Sequence, residues 1–321
     1  MDSDCTGGRA ELKADARLSR RAVIGGLGVF AATPRIAAAN PAPSRDCFLI
    51  LGDWGRRGAP IQRAVAEQMA ARARRIDGRF VVTVGDNFYR CGVHDTLDSH
   101  WRQSFAEVYD LETLHTWLPA LGNHDHNGDP DAQVDFSRRF AGWRMDGRYY
   151  RRRVTLAGGR SLDLFVLDTA PLADPGNYPQ RASELRAQWA WFDREMLASH
   201  ADWKIVVGHH PLVSSGYKER DYPLLNAWLN PRLERFGAHA YLSGHDHHLE
   251  HLRVGRVTHI VCGGGAGGDP MTMRRPAGHV QGWPSAGFAA VDVTGDLMTV
   301  TFVDERGDDL GTARVSRDRR L

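Results

Sequence analysis

The chain has 321 residues, 42% of them hydrophobic, with 41 Lys/Arg against 39 Asp/Glu. That is enough apolar material for a sizeable buried core. The near-neutral balance gives no electrostatic case for nucleic acid or a membrane surface as the main partner.

At the N-terminus, Ser19-Arg20-Arg21 precede an apolar segment from Ala22 to Thr33, and Ala37-Ala38-Ala39 supply the small residues of a cleavage site. The stretch resembles a twin-arginine export signal. Its weakly apolar run falls short of the roughly 20 residues that span a bilayer, so no stable membrane span is expected. Residues 1–39 are read as a signal peptide, 40–45 as a linker and 46–318 as a single domain. The expected destination is periplasmic or secreted, with the export machinery as a transient partner. Without the signal, 35 basic and 35 acidic residues remain, so runs such as Arg151-Arg152-Arg153 are read as solvated strand or turn residues.

Strands and helices then alternate. A strand at Cys47 to Leu51 leads to a helix from about Ala59 to Arg75, where Ile61, Val65 and Met69 recur every four residues. A strand follows at Phe80 to Val84, then an amphipathic helix at Asp98 to Tyr109 and the short strand WLPAL at 117–121. Tyr149 to Thr155 and Ser161 to Asp168 read as a hairpin joined through Ala157-Gly158-Gly159. A long helix, Ala182 to Ser199, lines Leu185, Trp189, Phe192 and Met196 on one face. Strands at Lys204 to Val207 and Ala238 to Ser243 precede a last third that reads as an antiparallel meander: Leu249 to Cys262, Gly287 to Val293, Leu297 to Asp304 and Gly311 to Val315. The expected fold class is α/β, two packed mixed β-sheets with helices outside. Cys5 would leave with the signal, and Cys47, Cys91 and Cys262 are expected to be free thiols.

Five motifs stand at strand ends: GDWG (52–55), GDNFY (85–89), GNHD (122–125), GHHP (208–211) and GHDH (244–247). In an open α/β sheet the carboxyl ends of the strands are where ligands bind. Asp53 and Asp86 would repel one another there unless a cation or proton compensated, and a carboxylate can bridge two metal ions. His209, His245 and His247 add imidazoles to the same rim.

In order and in sequence, these blocks resemble those of calcineurin-like metallophosphoesterases, and more narrowly the low-molecular-weight purple acid phosphatases of the tartrate-resistant type. Tyr89 in GDNFY carries the narrower likeness, which extends through GDWGRRG (52–58) and LFVLDT (164–169). The resemblance implies a four-layer αββα sandwich and a dinuclear centre, with Asp53, Asp86, Tyr89 and His247 on one metal and Asp86, Asn123, His209 and His245 on the other. Charge counting agrees: two carboxylates and a phenolate suit Fe(III), and the more neutral second set suits divalent Fe, Zn or Mn.

The resemblance further implies hydrolysis of small-molecule phosphate esters by a metal-held hydroxide, an acidic optimum, Asn123 and His124 as phosphate contacts, and His124 assisting the leaving group. Asp125 could offset the metals' field at His124. His126, His210, His248 and His251 are expected around the ligands or at the surface, and Asp168 and Asp246 are expected to orient imidazole or backbone. The Gly263 to Gly268 run is read as a tight strand-end turn. One departure stands out: relatives place a His in the loop beyond the Ser-Gly turn, where this chain has Tyr217 and Lys218, which could bind phosphate instead. A monomer is expected. Alternatives are a phosphodiesterase, nucleotidase or phospholipid head-group hydrolase on the same centre, or a phosphate- or metal-binding protein without turnover.

Overall fold

The computed structural model describes residues 45–216, 222–267 and 273–318. The export signal and both Tyr217 and Lys218 therefore lie outside the described residues. One sheet contains β1 (Arg45–Leu51), β2 (Gly78–Val84), β3 (Trp117–Ala120), β11 (Gly287–Thr294), β12 (Leu297–Asp304) and β13 (Asp309–Ser316), ordered β13-β12-β11-β1-β2-β3. The other contains β4 (Tyr150–Thr155), β5 (Ser161–Val166), β6 (Trp203–Val207), β7 (Ala240–Ser243), β8 (Leu249–Val254), β9 (Val257–Cys262) and β10 (His279–Trp283), ordered β10-β8-β9-β7-β6-β5-β4. Strands β1, β2 and β3 run parallel, as do β5, β6, β7 and β9. All five motifs follow such strands, so their loops collect at one rim.

Strand periodicity builds the layers. Leu164 and Val166 of β5, Ile205 and Val207 of β6 and Leu242 of β7 share a buried cluster with Phe48, Ile50 and Val82 of the first sheet. Their chain neighbours Phe165, Val206 and Tyr241 point the other way, as alternation requires, into a second cluster. Helix α1 (Pro60–Ile76) covers the first sheet with Val65 and Met69. Two short helices, α2 (Pro130–Phe136) and α3 (Ala170–Ala173), fill connections, while α4 (Ala182–Ala198) and α5 (Pro223–Phe236) cover the second sheet through Phe192, Met196, Trp228, Leu229 and Leu233. The result is the four-layer αββα sandwich.

Several local expectations need correction. In place of a helix over Asp98 to Tyr109 there is one wide π-helical segment, Trp101–Ala106, closed by Glu107 N donating to Arg102 O at 3.0 Å. Trp101 and Phe105 there pack against Phe88, Trp117 and Trp143, and this aromatic packing prevails over a regular 3.6-residue turn. Ile61 is 43% exposed, because the buried stripe of α1 runs through Gln62, Val65, Ala66 and Met69. The last third is split between the sheets: β11 to β13 form a meander in one, while the β8–β9 hairpin and β10 belong to the other. Arg151 and Arg153 are not merely solvated, since both pair with the buried carboxylate of Asp163 on the neighbouring strand. Cys262 is a buried free thiol, Cys47 is buried with its thiol donating to Asp292 Oδ2 at 3.6 Å, and Cys91 is disulfide-bonded, which corrects the expectation of free thiols throughout.

Candidate metal centre

Within each motif, side chains alternate between the rim and the core beneath it. In GDWG, Asp53 faces the rim while Trp54 is fully buried against Phe88, Trp117 and Trp143, its Nε1 donating to Asn87 Oδ1 at 3.1 Å. In GDNFY, Asn87 and Phe88 turn down and Asp86 and Tyr89 turn up. Losing an aromatic anchor of this kind costs about 3–5 kcal/mol, so Trp54 and Phe88 fix the loops that carry the polar groups. Backbone bonds tie the two loops together: Asp53 N to Gly85 O at 3.0 Å, Trp54 N to Asp86 O at 3.2 Å and Tyr89 N to Gly55 O at 2.8 Å. Gly55 must be glycine, because a Cβ there would lie 1.9 Å from Asn87 O.

Asp53, Asp86 and His245 all adopt left-handed backbone, with φ of 60°, 50° and 70°. Each such residue stores on the order of 1–2 kcal/mol of strain, and strain gathered on three rim residues points to function. His245 is held in place by its N–H donating to Asp53 Oδ2 at 2.9 Å.

At the centre, the Tyr89 hydroxyl lies 2.7 Å from Asp53 Oδ1, 2.8 Å from Asp86 Oδ2 and 3.0 Å from His247 Nε2. One phenol proton cannot serve both carboxylate oxygens at once. On the other side of Asp86, Oδ2 lies 3.3 Å from His209 Nε2, which is 3.1 Å from His245 Nδ1. His209 donates through Nδ1 to Val84 O at 2.8 Å, leaving Nε2 directed at this cluster. Asp86 Oδ2 thus stands between a phenol–carboxylate–imidazole group and a two-imidazole group.

Without cations the cluster is electrostatically strained. Burial, then the charges of Asp53 and Asp86, holds the Tyr89 phenol well above its ordinary range. Burial opposes charge on His209, but Asp86 and Asp53 outweigh it and push the imidazole up to about 9. Burial likewise opposes charge on Asp86, yet His209, His124 and His245 hold its carboxyl well below the usual range. Two buried carboxylates beside a buried phenol call for positive charge, which metal ions would supply. The donor set fits such ions: Asp53, Asp86 and His209 converge within metal-binding distance of one another, as do His209, His210 and His245. Asn123 adds a buried Oδ1 with no hydrogen-bond partner. Its neighbours bracket Asp86, since His124 N donates to Asp86 Oδ1 at 2.8 Å and a Cβ on Gly122 would lie 2.2 Å from that oxygen.

His124 is partly exposed, and its Nδ1–H donates to Arg90 O at 2.7 Å. That bond fixes the tautomer and leaves Nε2 free, 4.0 Å from Asp86 Oδ2. Asp125 does not serve His124. It points inward and accepts from the backbone N–H groups of Asn87, Phe88 and Gly122 and from Gln133 Nε2. Burial and the charge of Asp86 push its carboxyl up, to about 7, against the pull of those donors.

His126 Nε2 lies 2.8 Å from Asp168 Oδ1, so Asp168 does orient an imidazole. His210 Nδ1 lies 2.9 Å from Thr169 Oγ1, and His248 Nε2 lies 2.8 Å from Glu250. His251 is buried, and neither ring nitrogen has a partner. Asp246 departs from expectation: it is buried, and among the described residues neither carboxylate oxygen has a hydrogen-bond partner. Gly263 and Gly265 pack against the motif loops, with Gly265 N donating to Gly52 O at 2.9 Å.

Two residues near the centre were not singled out from sequence. The Tyr222 hydroxyl lies 2.5 Å from His245 Nε2, and Thr169 Oγ1 accepts from His209 N at 3.0 Å and His210 N at 3.2 Å. Thr169 closes the LFVLDT stretch and was within reach of the motif argument. Tyr222 carried no motif signal.

Comparison with known proteins bears on this geometry. The sequence matches the calcineurin-like phosphoesterase family over residues 26–249. It is 37% identical over 218 residues to purple acid phosphatase 17 of Arabidopsis thaliana, an alignment covering 64% of this chain but only 63% of that protein. It is 30% identical over 298 residues to human tartrate-resistant acid phosphatase type 5, covering 85% of this chain and 91% of that one. Among solved structures, the Plasmodium inner-membrane-complex anchor GAP50 superposes with a TM-score of 0.73 at 23% identity, covering 85% of this chain and 89% of that one. A yellow lupin purple acid phosphatase, PPD1, superposes with a TM-score of 0.62 at 15% identity, covering 87% and 56%. Those two likenesses show the shared fold alone.

The chain belongs to the calcineurin-like phosphoesterase family. Its homologues there are purple acid phosphatases, which mark it as a dinuclear-metal phosphoesterase. Among the described residues, no helix is long and apolar enough to cross a membrane.

Proposed function

We propose that this chain is an exported acid phosphatase that hydrolyses phosphate monoesters at a centre of Fe(III) and one divalent ion, Fe, Zn or Mn. The observation that carries the reading is the Tyr89 hydroxyl set among Asp53, Asp86 and His247 at 2.7, 2.8 and 3.0 Å. A buried phenol beside two carboxylates gives up its proton only to a strongly acidic cation, so the donor set favours a trivalent ion there. Relatives named as acid phosphatases support the hydrolase activity.

Asp53, Asp86, Tyr89 and His247 would hold the trivalent ion, and Asp86, Asn123, His209 and His245 the divalent one, with Asp86 shared. Bound ions would supply charge neutralisation of the phosphoryl group and an activated water. The chain's own residues do the rest. His124, its Nδ1–H committed to Arg90 O, can carry a proton on Nε2 and deliver it to the departing alcohol oxygen. Asn123 and His124 would contact the phosphoryl group, with Tyr217 and Lys218 as further candidate donors to it. The Arg20-Arg21 signal would send a single folded domain, acting as a monomer, out of the cytoplasm.

A chromogenic phosphate monoester assayed on metal-replete protein across the pH range tests this reading. An acidic maximum that chelation abolishes is expected. A rate rising steadily into alkaline pH, or preference for diesters over monoesters, would contradict it.

A further inference from the structure

Arg56 follows directly on GDWG, and its guanidinium carbon lies 4.0 Å from the centroid of the Tyr89 ring. The hydroxyl of that same ring meets Asp53, Asp86 and His247, so a permanent cation stands about one ring away from the candidate centre. The position is enforced. Trp54 N and Tyr89 N cross-link the two loops, and Arg56 N donates to both Trp54 O at 2.9 Å and Gln62 Oε1 at 3.0 Å.

Stacking on an aromatic face does not complete a guanidinium, which carries five N–H donors. Arg56 is only half exposed, its Nε is shielded from solvent without a hydrogen-bond partner, and it forms no ion pair with a carboxylate among the described residues. Arg151, Arg153 and Arg306 show the usual arrangement in this protein, each paired with Asp163 or Asp304. A partly buried, unpaired guanidinium is unfavourable unless an anion meets it. The imidazole of His124 packs 4.5 Å from the same Tyr89 ring, so two nitrogen-rich side chains flank it where an ester would enter.

We infer that Arg56 binds the phosphoryl group of the substrate, donating to an oxygen that the metal ions leave free. The inference rests on the dinuclear phosphatase reading above. Planar paired donors match phosphoryl oxygens better than a lysine ammonium does, so Arg56 would hold the group's orientation as well as its charge.

The test uses inorganic phosphate as probe on metal-replete wild type, Arg56→Met and Arg56→Lys, with metal content measured on each. Met keeps an unbranched stem over the Tyr89 ring while removing every donor. Arg56→Met is expected to retain the wild-type metal content and visible spectrum, to weaken phosphate binding roughly ten- to hundredfold, and to raise KM for a monoester more than it lowers kcat. Arg56→Lys should recover part of the affinity. Unchanged phosphate affinity in metal-replete Arg56→Met would overturn the assignment. So would a variant that loses metal but binds phosphate normally once reloaded, since Arg56 would then only pack on Tyr89. If the wild type itself holds no metal, the underlying dinuclear reading fails, and that is visible before any variant is compared.

Discussion

The Tyr222 hydroxyl lies 2.5 Å from Nε2 of His245, whose other ring nitrogen lies 3.1 Å from His209 Nε2. Imidazoles that ligate metals are commonly oriented through their second nitrogen, and loss of such a partner typically costs 10- to 100-fold in metal affinity. Tyr222→Phe should therefore weaken the divalent ion by about that factor while leaving the Tyr89 side of the centre loaded. Chelator competition with stepwise metal analysis measures it. Equal weakening of both ions, or of neither, would show that this contact does not position His245.

His124→Ala should lower turnover of a monoester by about 10²–10⁴-fold, the range for a lost general acid. Metal content should not change, because the hydrogen bond from His124 to Asp86 comes from its backbone N–H, which alanine keeps, while the imidazole Nε2 stands 4.0 Å away. Single-turnover kinetics on the metal-replete variant checks this, and near-normal turnover removes His124 from proton delivery.

Gly55→Ala should destabilise the fold by roughly 1–3 kcal/mol, the range for forcing atoms into a packed region. The added Cβ would strike the carbonyl of Asn87 and so part the Asp53 and Asp86 loops. Thermal unfolding should show a midpoint lower by several degrees together with reduced metal retention. An unchanged midpoint would mean that the two loops are less tightly joined than their hydrogen bonds indicate.

Buried histidines set a stability limit on the acid side. Burial holds His259 down at about 4, and burial with the charge of Arg253 does the same for His251. Both remain neutral in the fold while the unfolded chain takes protons below its ordinary value of 6.5. Their contribution is intact above 6.5 and is lost as pH falls towards 4. Urea midpoints across this window should fall more steeply for wild type than for His259→Leu. Parallel profiles would show that His259 titrates alike in both states.

What could be read from sequence follows from where the constraints are local. The parallel strands announce themselves as short β-branched runs, and the polar residues that can meet stand in the few positions after each, so the gathering of Asp53, Asp86, His209, His245 and His247 at one rim was legible, with Tyr89 added by the family resemblance. Helix α5 was not, because Pro231 interrupts its pattern although Leu225, Trp228, Leu229 and Leu233 bury one face. Strand β10 was missed because His279–Trp283 is a half-exposed edge strand without clean alternation. The π-helical segment at Trp101 depends on aromatic partners far away in the chain. Tyr222 escaped for a similar reason, since its role lies in one contact with His245 that no spacing rule encodes.

Metal analysis with a visible spectrum of wild type and Tyr89→Phe tests most directly whether Tyr89 binds a trivalent iron beside a divalent ion. Two ions per chain are expected, at least one of them iron, with a tyrosinate-to-iron charge-transfer band that Tyr89→Phe abolishes. A protein without iron, or a band that survives Tyr89→Phe, would contradict it.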